Sequence, residues 1–164
     1  MSKLENDKLQ VLEISGSVWK NFGFEYYQNV HYPEFDICKD SLDRQFDLVI
    51  AEQIFEHLLY PYSAGKNIYN MLELLGHFLI VAPFLFRVHP NPYDCTRWTE
   101  TGLKFFLIEC GFNPEGIQTG SWGNRACIKM TFRQGGEFQL YNRFLHSLTN
   151  EPEYPLVIWA LAKK

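Results

Sequence analysis

The stretch Phe46-Asp-Leu-Val-Ile-Ala-Glu-Gln53 decides how this chain is read. Leu48 to Ala51 form a continuous apolar core, the mark of a strand buried on both faces. The run ends on a polar pair, Glu52 and Gln53. Buried strands of this kind belong to parallel sheets covered by helices.

The flanking segments fit such a sheet. Tyr62 to Leu75 carries Ala64, Ile68, Met71, Leu72 and Leu75 at helical spacing, and Gly76 is expected to cap that helix. His77 to Phe84 is a second buried strand, stopped by Pro83, and Pro90 to Trp98 is a polar, proline-rich loop. Thr99 is expected to cap a helix over Leu103 to Cys110 that ends at Gly111. Upstream, Leu9 to Ser15 is a short buried strand running into the turn Ser15-Gly16-Ser17. Trp19 to Asn29 has room for one short helix, weakened by Gly23, and Val30 to Ile37, with Pro33, reads as extended. Glu115 to Trp122 and Pro155 to Ala162 are the last two strands, with a short helix expected over Leu140 to Leu148 between them. Strands alternating with helices give an α/β domain with right-handed crossovers. Ligands of such sheets bind beyond the C-terminal ends of the strands. Three loops therefore matter: Gly16 onward, Glu52 to His57, and Phe84 to Trp98.

The chain has 164 residues, which suits one domain over residues 1–164. Hydrophobic residues at 46% and charged residues at 21% exclude a disordered composition. The net charge of −4, without a basic block, disfavours nucleic acid as a partner. No apolar run approaches the ~20 residues that span a bilayer, so no membrane association is expected. Met1 to Gln10 is polar and lacks the apolar core of a secretory signal. Cys38, Cys95, Cys110 and Cys127 form no C-x-x-C pair and read as reduced thiols of a cytoplasmic protein. No local metal-ligand spacing is present, so no metal is expected. The phosphate-binding loop G-x-x-x-x-G-K-[ST], the dinucleotide fingerprint G-x-G-x-x-G and the hydrolase elbow G-x-S-x-G are also missing.

Four segments, in order, resemble the motifs of class I S-adenosylmethionine-dependent methyltransferases of the small-molecule branch. They are Val11-Leu-Glu-Ile-Ser-Gly-Ser17, Phe46 to Leu58 with its Glu56-His57, Met71-Leu-Glu-Leu-Leu-Gly-His-Phe-Leu-Ile-Val-Ala-Pro83, and His89-Pro-Asn-Pro-Tyr-Asp-Cys-Thr-Arg-Trp-Thr99 followed by a helix and Cys110-Gly-Phe112. The resemblance covers Leu9 to Phe112. It implies a Rossmann-like, mostly parallel sheet with flanking helices and an antiparallel C-terminal strand, shortened near the first crossover. It implies S-adenosyl-L-methionine as cofactor and a small-molecule methyl acceptor, a sugar or another secondary metabolite.

The resemblance and the chemistry together single out site residues. Glu13, Ser15, Gly16 and Ser17 surround the first turn, although Ser15, Ser17 and Trp19 stand where the family prefers glycine. Asp36 lies 20 positions after Gly16. It serves the ribose, the adenine edge, or only a local turn. Glu52 and Gln53 are expected to face the cofactor. His57 and His89 are candidate bases for the proton of a hydroxyl acceptor; for His57 the alternative is a helix-end histidine bonded to backbone. Arg87, Asp94, Arg97 and Trp98 are expected at the substrate, with the arginines holding an anionic group. The alternative there is a loop locked by its own Asp-Arg pair. The competing class of function is a binding or dimerisation module that has lost catalysis. A homodimer is expected through Phe22, Phe24, Tyr26 and Tyr27 if these are not covered internally.

Overall fold

The computed structural model describes residues 6–133 and 147–164. Six strands form one sheet: β1 (Gln10–Ile14), β2 (Tyr26–Val30), β3 (Phe46–Glu52), β4 (Leu72–Pro83), β5 (Ile117–Trp122) and β6 (Val157–Lys163), in the order β2-β1-β3-β4-β6-β5. The first four strands are mutually parallel, and β6 enters antiparallel between β4 and β5. The sheet is thus mostly parallel with an antiparallel C-terminal strand, as expected.

The chain leaves β1 toward β2 on one side and returns to β3 on the other. That reversal is a topological switch point, where a crevice opens beyond the strand ends.

Two helices, α1 (Pro61–Met71) and α2 (Glu100–Glu109), cover one face. Pro61 suits the first turn of α1, where a backbone N–H is free in any case. Ala64, Ile68 and Met71 recur at helical spacing and are buried. Thr99 caps α2, its hydroxyl accepting from the Gly102 N–H at 3.1 Å. Gly111, at φ 113°, takes the left-handed turn after the helix. The core between helices and sheet holds Phe46, Phe55, Phe78, Phe106 and Phe112 with Leu12, Ile68, Ile80 and Leu103.

The opposite face is covered differently. No helix lies between β1 and β2 or between β2 and β3. A run of rings covers it instead: Trp19, Phe22, Phe24 and Tyr27, with centroids 4.8, 6.3 and 6.4 Å apart in succession. Trp19, Phe24 and Tyr27 pack on Leu9, Val11, Leu48 and Ile50. Phe22, the outermost, is 50% exposed. Tyr26 points to the other face, beneath the Arg44 guanidinium at 3.6 Å.

Two local expectations are corrected. Trp19 to Asn29 holds turns and β2 rather than a helix. α1 ends at Met71, so Gly76 does not cap it. Leu75 takes the left-handed conformation at φ 69°, and Gly76 sits where a Cβ would lie 2.9 Å from the Glu73 carbonyl and 3.0 Å from that of Phe46. Close backbone passage, not capping, requires the glycine. A third helix, α3 (Arg125–Arg133), follows β5. Asn124 starts it, its side-chain oxygen accepting from the Cys127 N–H at 2.8 Å. The helix expected over Leu140 to Leu148 falls mostly outside the described residues.

Candidate functional site

A cavity of about 740 Å³ opens beyond the C-terminal ends of β1, β2 and β3. This is within the range of small-molecule and cofactor sites. Its walls come from the turn after β1, the chain after β2 from His31 to Lys39, the segment Glu52 to Tyr60, and Asn91 to Tyr93.

The turn after β1 is built around Glu13, which is 1% exposed. Its carboxylate accepts from the backbone N–H groups of Val18 at 3.0 Å and Trp19 at 3.1 Å, and from the Tyr27 hydroxyl at 2.6 Å. Burial, then the Glu13 carboxylate, push the Tyr27 phenol well above its ordinary value. Ser15 is left-handed at φ 56° and donates its N–H to the Val30 carbonyl at 2.7 Å. A Cβ on Gly16 would stand 2.2 Å from Glu13 Oε1, so the backbone can fold over the carboxylate only at glycine. Glu13 shapes the wall rather than offering free acceptors to a ligand. Ser15 and Gly16 line the cavity; Ser17 is exposed and does not.

At the end of β3, Glu52 accepts from the Trp19 indole N–H at 2.9 Å. Gln53 is left-handed at φ 57° and donates its backbone N–H to Val81 at 2.8 Å. Both line the cavity. So does Asp36, which lies in a turn beyond β2 rather than on the strand. Its carboxylate pairs with Lys39 at 2.9 Å and accepts from the Cys38 N–H at 3.1 Å. The Lys39 ammonium holds the Asp36 carboxyl below its usual range.

His57 is also on the wall. Its Nδ1 stands 2.6 Å from the Tyr93 carbonyl oxygen. A carbonyl only accepts, so this nitrogen carries the proton in the neutral ring. His89 stands behind His57, ring centroids 5.1 Å apart, and does not line the cavity. Between them lies Glu56, wholly buried, with neither carboxylate oxygen hydrogen-bonded among the described residues. Its Oε1 is 3.5 Å from His57 Nε2 and 3.8 Å from His89 Nε2. Burial pushes the Glu56 carboxyl up.

The four residues expected at the substrate do not line the cavity. Asp94 and Arg97 lock onto each other through both oxygens and both terminal nitrogens. The guanidinium holds the Asp94 carboxyl at about 2. Arg97 is therefore committed to its own loop and not to an anionic ligand. The Arg87 carbonyl accepts from His89 Nδ1 at 3.1 Å, while the residue itself is exposed. Trp98 packs on Phe106, 5.4 Å between centroids, as part of the core. The same loop instead presents Asn91, Pro92 and Tyr93 to the cavity. His31, Phe35 and Tyr60 also line it without having been singled out. Their signal was positional: each follows the C-terminal end of a strand.

An S-adenosylmethionine-dependent methyltransferase from Mesorhizobium loti superposes with a TM-score of 0.64 over 98% of this chain and 93% of its own, at 13% identity. One from Archaeoglobus fulgidus gives 0.64 over 97% and 87%, at 16% identity. The fold is that of class I S-adenosylmethionine-dependent methyltransferases. An O-methyltransferase from a Brevibacillus brevis trans-AT PKS multienzyme, solved with S-adenosylhomocysteine, gives 0.59 over 98% of this chain and 69% of its own, at 10% identity. No protein-family model matches the sequence. No curated protein matches it either. In this methyltransferase fold, the cavity occupies the crevice at the switch between β1 and β3. Among the described residues no helix is long and apolar enough to cross a membrane.

Proposed function

We propose that this chain is an S-adenosylmethionine-dependent methyltransferase acting on a small molecule. The observation that carries the reading is the turn after β1. A buried carboxylate pins its backbone, and a glycine admits close approach beside a cavity of about 740 Å³. The residues present fit the cofactor. Ser15 and Gly16 offer a narrow backbone cradle, Gln53 a strand-end amide, and Asp36 an acid on the far wall beside Phe35 and Ile37. Asp36 is the residue assigned to the ribose, with Lys39 fixing its orientation.

The bound cofactor supplies an electrophilic methyl group. The protein's part is alignment, exclusion of water and, for a hydroxyl acceptor, receipt of a proton. His57 is placed for the last task, with its Nδ1–H held by Tyr93. His89 lies behind it, off the cavity wall, and does not reach the acceptor. Tyr93 and Asn91 wall the acceptor side.

The test is a calorimetric and thermal titration with S-adenosylmethionine and S-adenosylhomocysteine. One site per chain is expected. Ligand at 100 times its dissociation constant adds ~2.7 kcal/mol, or about 5–11 °C for a domain of this size. Folded protein that shows neither heat nor shift at millimolar ligand overturns the reading.

A further inference from the structure

Glu56, His57 and His89 pose a problem that hydrogen bonding within the protein does not solve. Both imidazoles commit Nδ1 to acceptors. His57 Nδ1 faces the Tyr93 carbonyl at 2.6 Å, and His89 Nδ1 faces the Arg87 carbonyl at 3.1 Å and Asp94 Oδ2 at 3.4 Å. A guanidinium nitrogen of Arg97 also approaches His89 Nδ1, at the longer distance of 3.5 Å. A neutral imidazole carries one N–H, so each ring turns a lone pair at Nε2 toward Glu56. The carboxylate there is wholly buried and unsatisfied at both oxygens. Acceptors thus converge from three side chains with no donor among them. A buried group left so is costly unless a proton or a cation fills the gap, and separations of 3.5 and 3.8 Å are longer than a hydrogen bond.

We propose that Glu56, His57 and His89 hold one first-row divalent metal ion of the zinc and manganese class. Donor atoms ~2.1 Å from a tetrahedral ion stand about 3.4 Å from one another. The two carboxylate–imidazole distances here are 3.5 and 3.8 Å, and all three donors lie within 4.8 Å. A small inward movement completes the site. Two imidazoles and one carboxylate select transition ions over magnesium or calcium, which prefer all-oxygen shells.

The outer shell is of the kind that orients metal-binding histidines, with each second ring nitrogen on a carbonyl or carboxylate. Asp94, itself clamped by Arg97, accepts the His89 backbone N–H at 2.8 Å. The Glu56 carbonyl accepts from the N–H groups of Cys95 at 2.6 Å and Thr96 at 3.3 Å. The loop after β4 is thereby tied to the segment that carries two of the three ligands. The Asp94–Arg97 pair so acquires a purpose as a brace.

Because His57 is on the cavity wall, the open positions of the ion are within reach of a bound molecule. With His57 Nε2 on the ion, the ring no longer receives the proton itself; the ion instead polarises an acceptor's oxygen and eases loss of its proton. That use rests on the methyltransferase reading; the ion site itself does not.

The experiment titrates the chelator-treated full chain, without cofactor, with Mn²⁺, Zn²⁺ and Mg²⁺. Calorimetry and bound-metal analysis are the readouts. One Mn²⁺ or Zn²⁺ per chain is expected, with a raised melting temperature, and weaker Mg²⁺ binding. Glu56→Gln and His89→Ala should each weaken binding by about 100-fold or more. Cys95→Ser, which removes the exposed thiol nearby, should leave it intact. Folded wild-type protein that takes up neither ion, or both ligand variants binding like wild type, overturns the site. Glu56 does not line the cavity, so Glu56→Gln should still bind S-adenosylhomocysteine. Wild-type protein that takes up the ion but binds no S-adenosylhomocysteine would sink the methyltransferase reading alone.

Discussion

Replacing Glu13 by glutamine should cost about 3 kcal/mol. The acid satisfies three donors from within a closed turn: the backbone N–H groups of Val18 and Trp19 and the Tyr27 hydroxyl. Glutamine can turn its carbonyl toward Trp19 and Tyr27 and keep both bonds. They then change from charge-assisted to neutral, a loss of about 1 kcal/mol each. The amide NH2 is left facing the Val18 N–H, donor against donor. Val18 is 69% exposed, so water relieves part of the conflict and the cost is about 1 kcal/mol. For a domain of this size, the sum corresponds to a melting temperature lower by about 6–12 °C. Denaturant unfolding and thermal scans measure it directly. Tyr27→Phe alone should remove one bond, about 1.5–3 kcal/mol. The double variant should show coupling of at least about 1 kcal/mol, because the two residues share that bond. Cofactor affinity should fall in parallel, since the same turn forms the cavity wall. A Glu13→Gln protein melting within about 2 °C of wild type, or zero coupling to Tyr27, would refute the account.

Two further outcomes are expected. Gly16→Ala should destabilise by about 1–3 kcal/mol through contact with the pinned Glu13 carboxylate, whereas Ser17→Ala, one residue on, should stay within about 0.5 kcal/mol in the same unfolding assay. Burial and then the Lys163 charge hold the His77 imidazole below its ordinary value. The unfolded chain therefore takes the proton first, and stability present above pH ~6.5, the unfolded value, is lost as pH falls from there through the lower folded value. Melting between about pH 7.5 and about pH 5.5 should fall more steeply in wild type than in His77→Gln; parallel curves would remove this contribution.

The sheet was legible because its central strands are short uninterrupted apolar runs, and Leu48 to Ala51 or Phe78 to Ala82 admit few other readings. Cap chemistry at Thr99 and Gly111 was equally local, and it held. Where the sequence misled, a long-range contact outweighed a local preference. Gly76 follows a helical pattern, yet Phe46 approaching from the next strand is what demands it. Trp19, Phe24 and Tyr27 hold no helical spacing because their rings pack on the sheet beneath them. At the site, the residues flanking strand ends were found by position: Ser15, Gly16, Glu52 and Gln53 all reach the cavity. The Glu56–His57–His89 convergence was not legible. Its third member lies 32 positions beyond His57, on a loop whose path is set by bonds from Cys95 and Thr96 to the Glu56 carbonyl. Arg97 and Trp98 carried a strong chemical signal, but Asp94 and Phe106 had prior hold on them.

Among the described residues, β2 forms one rim of the sheet and pairs only with β1. Its sequence, Tyr26-Tyr-Gln-Asn-Val30, contains no charge and no proline. Rim strands are usually guarded by lysine, proline or a bulge, because their outward N–H and C=O groups can accept another strand. An aromatic, uncharged segment of this kind also favours stacking on its own copies. The concentration at which this protein can be kept dispersed is thus governed less by its overall acidity than by five residues at one margin, with Glu25 the nearest guard.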